Sequence, residues 1–439
     1  VRILLERVLA PRVLDELFAR HAVRQRCGET LFSTLVDLMG LVVLREKPYL
    51  HAAYQARLDD VTVSIQAVYA KLNGLEPQVS SALVRETGRQ FKDILDGLIS
   101  RSESPLPGYR VRVRDGIRLG GTDHCLKVLR QSGAAALPGE VLALFDPTTR
   151  LLADVVCCED GHAQERSLLP QLYDLLRAGE VLIADRGFCT TAFVHELGRR
   201  RVHFLIRQHS TNLPVEELDK PRSRGRLADG CLFEQRVRAR DCDGQECILR
   251  RITIRLDRPT RFGESEVHLI TDLPAEVSAR SLAQAYRSRW TIETCFGHLA
   301  KTVHGELNTL GYPKAALFGF CLAVVMYNVL ATVLGVLGAQ FGMAKIDERV
   351  SLYYLAEETS SVYAGMLIAV PACVWRRLYS EMPLSQLTAE MLSIARGVKL
   401  QRFQKHPRGP KKPPPRRTKA QRGQHVATAR LLATRNPKR

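Results

Sequence analysis

Between Lys314 and Lys345 no charged side chain interrupts the run AALFGFCLAVVMYNVLATVLGVLGAQFGMA. A segment this long and apolar has two physical outlets. It can cross a bilayer, whose hydrocarbon takes about 20 apolar residues, or it can lie at the centre of a large fold, apolar all round. Asn328 midway along it, several glycines and the lack of a second such segment favour a buried core helix and no membrane. A helix of this kind must be covered on every side. A chain of 439 residues with 45% hydrophobic side chains can do that, as one large domain or two to three smaller ones.

The formal charge of +18 suggests a polyanionic partner. Its distribution narrows that inference. The segment Arg396–Arg439 holds 15 of the 64 Lys and Arg residues and none of the 46 Asp and Glu, so the rest of the chain is close to neutral. The tail HPRGPKKPPPRRTKAQRGQ is too polar and proline-rich to bury a core and should be disordered alone. It is either a solvated linker or a DNA arm, in which Lys411, Lys412, Arg416 and Arg417 would give salt-sensitive, sequence-independent binding. The 11 cysteines are odd in number and lack zinc-type CxxC spacing, as expected of reduced thiols in a cytosolic protein. The opening VRILLERVLAPRVLDELFAR mixes charges of both signs, unlike a secretory signal, and reads as an amphipathic surface helix.

Residues 1–105 read as a helical domain and a candidate for binding DNA ends. In it SIQAVYAKLNGLEP has a Ser64 cap and an Asn-Gly-Leu-Glu-Pro stop. That helix is either an ordinary bundle helix or a recognition helix presenting Gln66, Tyr69 and Lys71. From residue 106 to 210 strands and helices alternate. YRVRVRDG, EVLALFDPTTR and LLADVVCCED read as three strands, HAQERSLLPQLYDLLRAG as a helix ending at Gly179, EVLIADRG as a buried strand, TTAFVHELGRRR as a helix and VHFLIRQH as a strand. Residues 211–276 read as a β-rich insertion, 277–400 as helical again, and 401–439 as the basic tail. The fold class is therefore α/β, with a helical N-terminal domain.

Two carboxylates stand at strand ends. Period-two alternation puts Asp115 on the face of Val111 and Val113, opposite Arg110, Arg112 and Arg114, with Gly116 letting the chain turn. Taken alone, Asp-Gly is as well read as a simple turn. Asp185 ends EVLIADRG in the same way, followed by Arg186 and Gly187. The carboxyl ends of strands are where α/β sheets place ligand chemistry. A carboxylate buried there must be paired, solvated or metal-bound.

A third carboxylate lies in AYRSRWTIETCFGHLAK, read as one helix that aligns Tyr286, Arg289 and Glu293 on a stripe while Trp290 and Phe296 anchor it to the core. An exposed Arg289–Glu293 pair at i, i+4 would explain the stripe of an isolated helix. Beside two strand-end aspartates it points elsewhere. Asp115, Asp185 and Glu293 converging would bind two Mg²⁺ ions, or Mn²⁺, through oxygen and clamp an in-line phosphoryl displacement. Tyr286, Arg289 and Arg186 would then contact the nucleic-acid backbone.

These residues resemble the DDE transposases of bacterial insertion sequences, specifically the insertion-sequence-four family, whose mark is Tyr-x2-Arg-x3-Glu-x6-Lys. YRSRWTIE is similar at Tyr286, Arg289 and Glu293, RVRDGIRLGGTDHCLKVLR at the first aspartate and IADRGFCTTAF at the second, and GHAQERSLL is also similar. The family lysine would fall on Ala300, and Lys301 follows it. Asp123 lies past the strand end, and Asp115 fits the family Asp-Gly better. The resemblance implies a ribonuclease-H-like catalytic domain with a β-rich insertion and cut-and-paste transposition. It also implies double-stranded DNA (terminal inverted repeats and target) as substrate, a dimer on DNA, and a bacterial cytoplasmic, nucleoid-associated location. A ribonuclease-H-like nuclease without strand transfer and a non-catalytic DNA-binding derivative remain as alternatives.

Overall fold

A computed structural model of the chain describes residues 1–25, 28, 30–98, 104–120, 126–130, 136–260, 263–307, 309–406, 409 and 426–435. Lys411, Lys412, Arg416, Arg417 and Asp123 lie outside these residues.

Six helices come first: α1 (Arg2–Val8), α2 (Pro11–His21), α3 (Phe32–Val43), α4 (Leu50–Gln55), α5 (Ile65–Gly74) and α6 (Pro77–Asp96). The opening segment is thus two helices, because Pro11 can start a helix but not continue one. The first is no surface helix: Leu4, Leu5 and Val8 are buried. Ser64 caps α5 by accepting a hydrogen bond from the Ala67 amide. Gln66 and Tyr69 are exposed on α5. Lys71 is not, since its ammonium lies 3.7 Å from the centre of the Phe18 ring.

The sheet follows, with β1 (Arg110–Arg118), β2 (Ala136–Leu137), β3 (Glu140–Asp146), β4 (Leu151–Cys158), α7 (Leu169–Tyr173), β5 (Glu180–Ala184), α8 (Thr191–Arg199) and β6 (His203–Arg207). The segment expected to be one helix up to Gly179 is instead a 3₁₀ turn, Glu165–Leu168, and the short α7. Pro170 in the first turn of α7 has no N–H to continue the preceding turn, which divides the two. The chain continues through β7 (Glu216–Glu217), β8 (Arg222–Leu227), β9 (Gly230–Arg240), β10 (Glu246–Leu256) and β11 (Glu266–Thr271).

Nine of the strands run in the order β4-β3-β1-β5-β6-β11-β10-β9-β7, and β8 pairs with β9. β1, β3 and β4 form an antiparallel meander, and β5 and β6 add parallel to β1. The strands of residues 211–276 are β-rich as expected, but they do not form a separate sheet. β11 pairs antiparallel with β6, so the extension prolongs the central sheet.

The remaining elements are α9 (Ala279–Arg287), α10 (Trp290–Lys301), α11 (Pro313–Phe341), α12 (Met343–Arg349), α13 (Leu352–Ala369), α14 (Ala372–Tyr379), α15 (Leu384–Arg396), β12 (Val426–Ala427, on β2) and α16 (Thr428–Arg435). The charge-free run forms α11, the one helix among the described residues long and apolar enough to cross a membrane, yet 83% of its most apolar window is buried within the fold. Asn328 is fully buried and satisfied. Its amide accepts from Leu152 N and donates to Leu152 O, both at 2.9 Å, pinning α11 to β4.

The two faces of the sheet carry different cores. Val111, Val113, Val141, Val181, Ile183 and Leu205 pack in one cluster with residues of α6, α10 and α11. Leu142, Leu144, Leu182, Phe204 and Ile206 pack in another with Phe188, Phe193 and Leu197 around α8. The sheet is therefore a middle layer with helices on both sides.

Candidate active site

Parallel pairing brings the two aspartates to the same end of the sheet. Val113 is opposite Ile183, and one repeat further along each strand come Asp115 and Asp185. β1 does not end at Asp115, as expected of a turn. It runs on to Arg118, paired with β3 alone, while β5 stops at Ala184. Gly116 is not at a turn; Glu165 packs on it, and a Cβ there would come 2.5 Å from Glu165 Oε1 and make that carboxylate shift.

The stretch expected to be one helix divides into α9 and α10. Ser288 and Arg289 keep right-handed helical angles, but the hydrogen bonds tighten to i+3, as from Ile292 N to Arg289 O. The Ser288 hydroxyl donates to Ala285 O, competing with the helical ladder there. Tyr286 ends up buried on α9, Arg289 buried in the joint, and Glu293 in the first turn of α10 with its side chain 40% exposed.

Arg289 joins two of the three carboxylates. Its Nη1 donates to Asp115 Oδ2 at 3.0 Å and its Nη2 to Glu293 Oε1 at 2.8 Å. Burial opposes the charge of Arg289, but Tyr286, Asp185, Asp115 and Glu293 together hold its pKa above the ordinary value. Burial pushes the Asp115 carboxyl up to about 6; Glu165 and Asp185 add to that rise, and Arg289 and the Gly116 amide oppose it. The Tyr286 phenol is raised by burial and by the charge of Asp185, so it is a neutral donor beside that aspartate.

The other expected contacts lie around this centre. Arg186 is about half exposed and its Nη1 sits 3.2 Å from Glu264 Oε1, at the start of the sheet extension. Lys301 is exposed at the last residue of α10, and Ala300 beside it is also exposed. Trp290 differs from expectation. It does not anchor the helix but stands 56% exposed, with the Arg289 guanidinium 4.9 Å from its ring. Two residues not foreseen as site residues border the aspartates: Glu165, which packs on Gly116, and Arg166, whose Nε donates to Gly187 O at 2.8 Å. Only their place in GHAQERSLL signalled them, because contacts over so long a separation leave no local pattern.

Among the described residues no group of three His, Cys, Asp or Glu side chains is gathered closely enough to hold a metal ion. The guanidinium of Arg289 takes the place of a cation between Asp115 and Glu293.

Residues 140–329 match the family described as Transposase DDE domain. The matched DDE segment contains Asp185 and Glu293 but begins after Asp115. Asp115 lies on β1, whose parallel pairing with β5 ends at Val113, and it ion-pairs with Arg289. The mixed sheet with helices on both faces is consistent with a DDE domain, and the match supports a DDE transposase, with DNA as substrate. DDE transposases use divalent metal ions. A search of curated proteins returned no match.

Proposed function

We propose that the protein is a cut-and-paste DNA transposase of the insertion-sequence-four family, with a ribonuclease-H-like core extended by β7–β11. The observation that carries this is the meeting of Asp115 and Glu293 on Arg289, with Asp185 beside them at the end of neighbouring parallel strands.

The donor chemistry fits Mg²⁺ or Mn²⁺: every carboxylate here offers oxygen, and the two aspartates are neighbours. Asp115, Asp185 and Glu293 would hold the metal, with Glu293 free to do so once Arg289 turns away. A bound metal would supply Lewis-acid polarisation of the phosphodiester and activation of the attacking hydroxyl. The protein's own groups bind and orient. Arg289 exchanges its carboxylate partners for a phosphate, which its planar fork matches equally well. Tyr286 stays neutral and donates a hydrogen bond. Arg186 and Lys301 stand further out, where a DNA backbone entering the site would pass, and the basic tail adds sequence-independent attraction. The helices of residues 1–105 are the candidate reader of the transposon ends, in a dimer assembled on DNA.

The test is purified protein with Mg²⁺ and DNA carrying the flanking inverted repeats, assayed for excision and for joining to a second DNA. Excision and joining support a transposase; cleavage without joining makes the protein a nuclease. Retained nicking by Asp115→Ala, Asp185→Ala and Glu293→Ala removes the site. The Arg289 ion pairs favour a second reading, a DNA-binding derivative whose carboxylates are permanently neutralised. In that case no divalent metal binds, with or without DNA.

A further inference from the structure

A thiol, an imidazole and a carboxylate meet where the β9–β10 hairpin packs on α8. Strand alternation puts Cys247 on one face with Val237, Ala239 and Leu249, while Arg240 and Glu246 stand on the other. His195 of α8 is buried against Cys247. Its Nε2 lies 3.6 Å from Cys247 Sγ, within hydrogen-bond reach of a sulfur, and its Nδ1 lies 3.6 Å from Asp241 Oδ2.

Asp241 is aimed by the turn that joins the two strands. Its Oδ1 accepts the amides of Asp243 at 3.0 Å and Gln245 at 2.8 Å, which fixes the direction of Oδ2. Oδ2 is buried without a hydrogen bond, on a side chain only 6% exposed, and faces the His195 ring with the Arg199 guanidinium 3.8 Å away. Native folds keep few buried oxygens in that condition. An aspartate that merely closed the turn would need neither the burial of Oδ2 nor a histidine beneath it.

Cys247 itself is half-buried, between exposed Glu246 and Ile248. Nucleophile, base and orienting group thus stand in line, the arrangement that activates a weak nucleophile. Distances of this kind often shorten only when a reactant is bound. With the His195 proton on Nδ1, towards Asp241, Nε2 is left to accept from the thiol. Burial pushes the Cys247 thiol up, Asp241 and Asp272 add to the rise, and a hydrogen bond with the Ala239 backbone opposes it. The thiol therefore rests protonated and needs a base in order to react.

We propose that Cys247 is a covalent modification site for low-molecular-weight disulfides, with His195 as its general base and Asp241 as the positioning residue that orients the base. In the step, His195 Nε2 takes the thiol proton, Cys247 Sγ bonds to one sulfur of the disulfide, and the disulfide's own S–S bond breaks. The leaving thiolate takes the proton from His195 and departs as a thiol, so one disulfide is exchanged for another. This chemistry does not depend on the transposase reading.

The test treats the folded full chain with 2-hydroxyethyl disulfide at pH 7, in a Cys242→Ser parent that lacks the neighbouring thiol able to displace the adduct. Adducts at each cysteine are quantified by peptide mass spectrometry after an acid quench, with exposed Cys373 as the reference. Cys247 should react at least as fast as Cys373 despite its burial. His195→Gln should slow Cys247 by about 10²-fold. Asp241→Asn, which keeps an acceptor for the two turn amides, should slow it by a smaller factor, and Cys373 should be unmoved in both. In His195→Gln the rate at Cys247 should climb about tenfold per pH unit, following the thiolate alone, and in the parent it should climb less steeply. A histidine that only packs would leave that slope unchanged. A Cys247 slower than Cys373 in the parent, an unchanged rate in His195→Gln, or equal pH slopes each overturns the proposal. The first of these needs no variant of the relay.

Discussion

Arg112 and Arg114 stand two residues apart on the same face of β1, both buried, in opposite circumstances. Arg112 donates to Asp146 at 2.9 Å and to Glu180 at 3.3 Å, joining three strands at one end of the sheet. Arg114, nearer the other end, has no hydrogen bond at all. The difference separates two uses of buried charge. At the Arg112 end the network is complete, and its return is a fixed register between β1, β3 and β5. At the Arg114 end, Arg114 has no partner and burial raises Asp115 and Glu165, an arrangement that costs stability.

The largest expected effects belong to the incomplete end. Asp115→Ala, Asp185→Ala and Glu293→Ala should each lower cleavage of end-bearing DNA by about 10³-fold or more, equivalent to roughly 4 kcal/mol of barrier. DNA affinity, measured by gel shift at fixed salt, should stay near wild type. A loss of binding in step with cleavage would make these residues structural and erase the contrast. At the complete end the order reverses. Arg112→Ala leaves buried Asp146 with only the Thr148 and Thr149 amides and removes one of the two arginines on Glu180, and should destabilise by about 3 kcal/mol in a urea titration. Any folded remainder should keep its cleavage chemistry.

Asp115 sharpens the contrast with a smaller effect of opposite sign. Its carboxyl is raised to about 6 from an ordinary 3.8. A raised acid has its stabilising, protonated form in the folded state. That contribution is fully present below the unfolded value near 4 and is lost as pH climbs through about 6. Above that, ionised Asp115 is a net cost. Asp115→Asn should therefore melt higher than wild type at pH 8, by about 1–2 kcal/mol. The gain should fade between pH 6 and 4. A deficit of Asp115→Asn at pH 8 that fades towards pH 4 would show instead that ionised Asp115 stabilises the fold.

What local pattern specifies was legible: the buried α11, the Ser64 cap and the strand that stops just before Asp185 all follow from periodicity and short-range chemistry, whereas the run of β1 past Asp115 to Arg118 does not. The Ser288–Arg289 joint was not, because both residues keep helical angles and only the hydrogen-bond step changes. Nor could YRVRVRDG reveal that both its faces are buried, since alternation separates faces without saying what covers them. Glu165 was illegible for a further reason. Its meaning lies in the approach of its carboxylate to a glycine 49 positions earlier, and only the folded chain sets that distance. The matched family segment begins after Asp115, so that residue too is tied to its partners by the fold.

The smallest effect comes from the sheet extension, where arginines and acids are as numerous but face water. Arg240 pairs with Glu246 at 2.7 Å across β9 and β10, with both side chains about half exposed. Exposed pairs of this kind are screened by solvent and contribute at most about 1 kcal/mol, often nothing. Arg240→Ala, Glu246→Ala and the double variant should all unfold at the wild-type urea midpoint, with no measurable coupling between the two positions. A clear coupling would mean that this edge is covered in solution, by a second copy or by DNA, because only exclusion of water gives such a pair real strength.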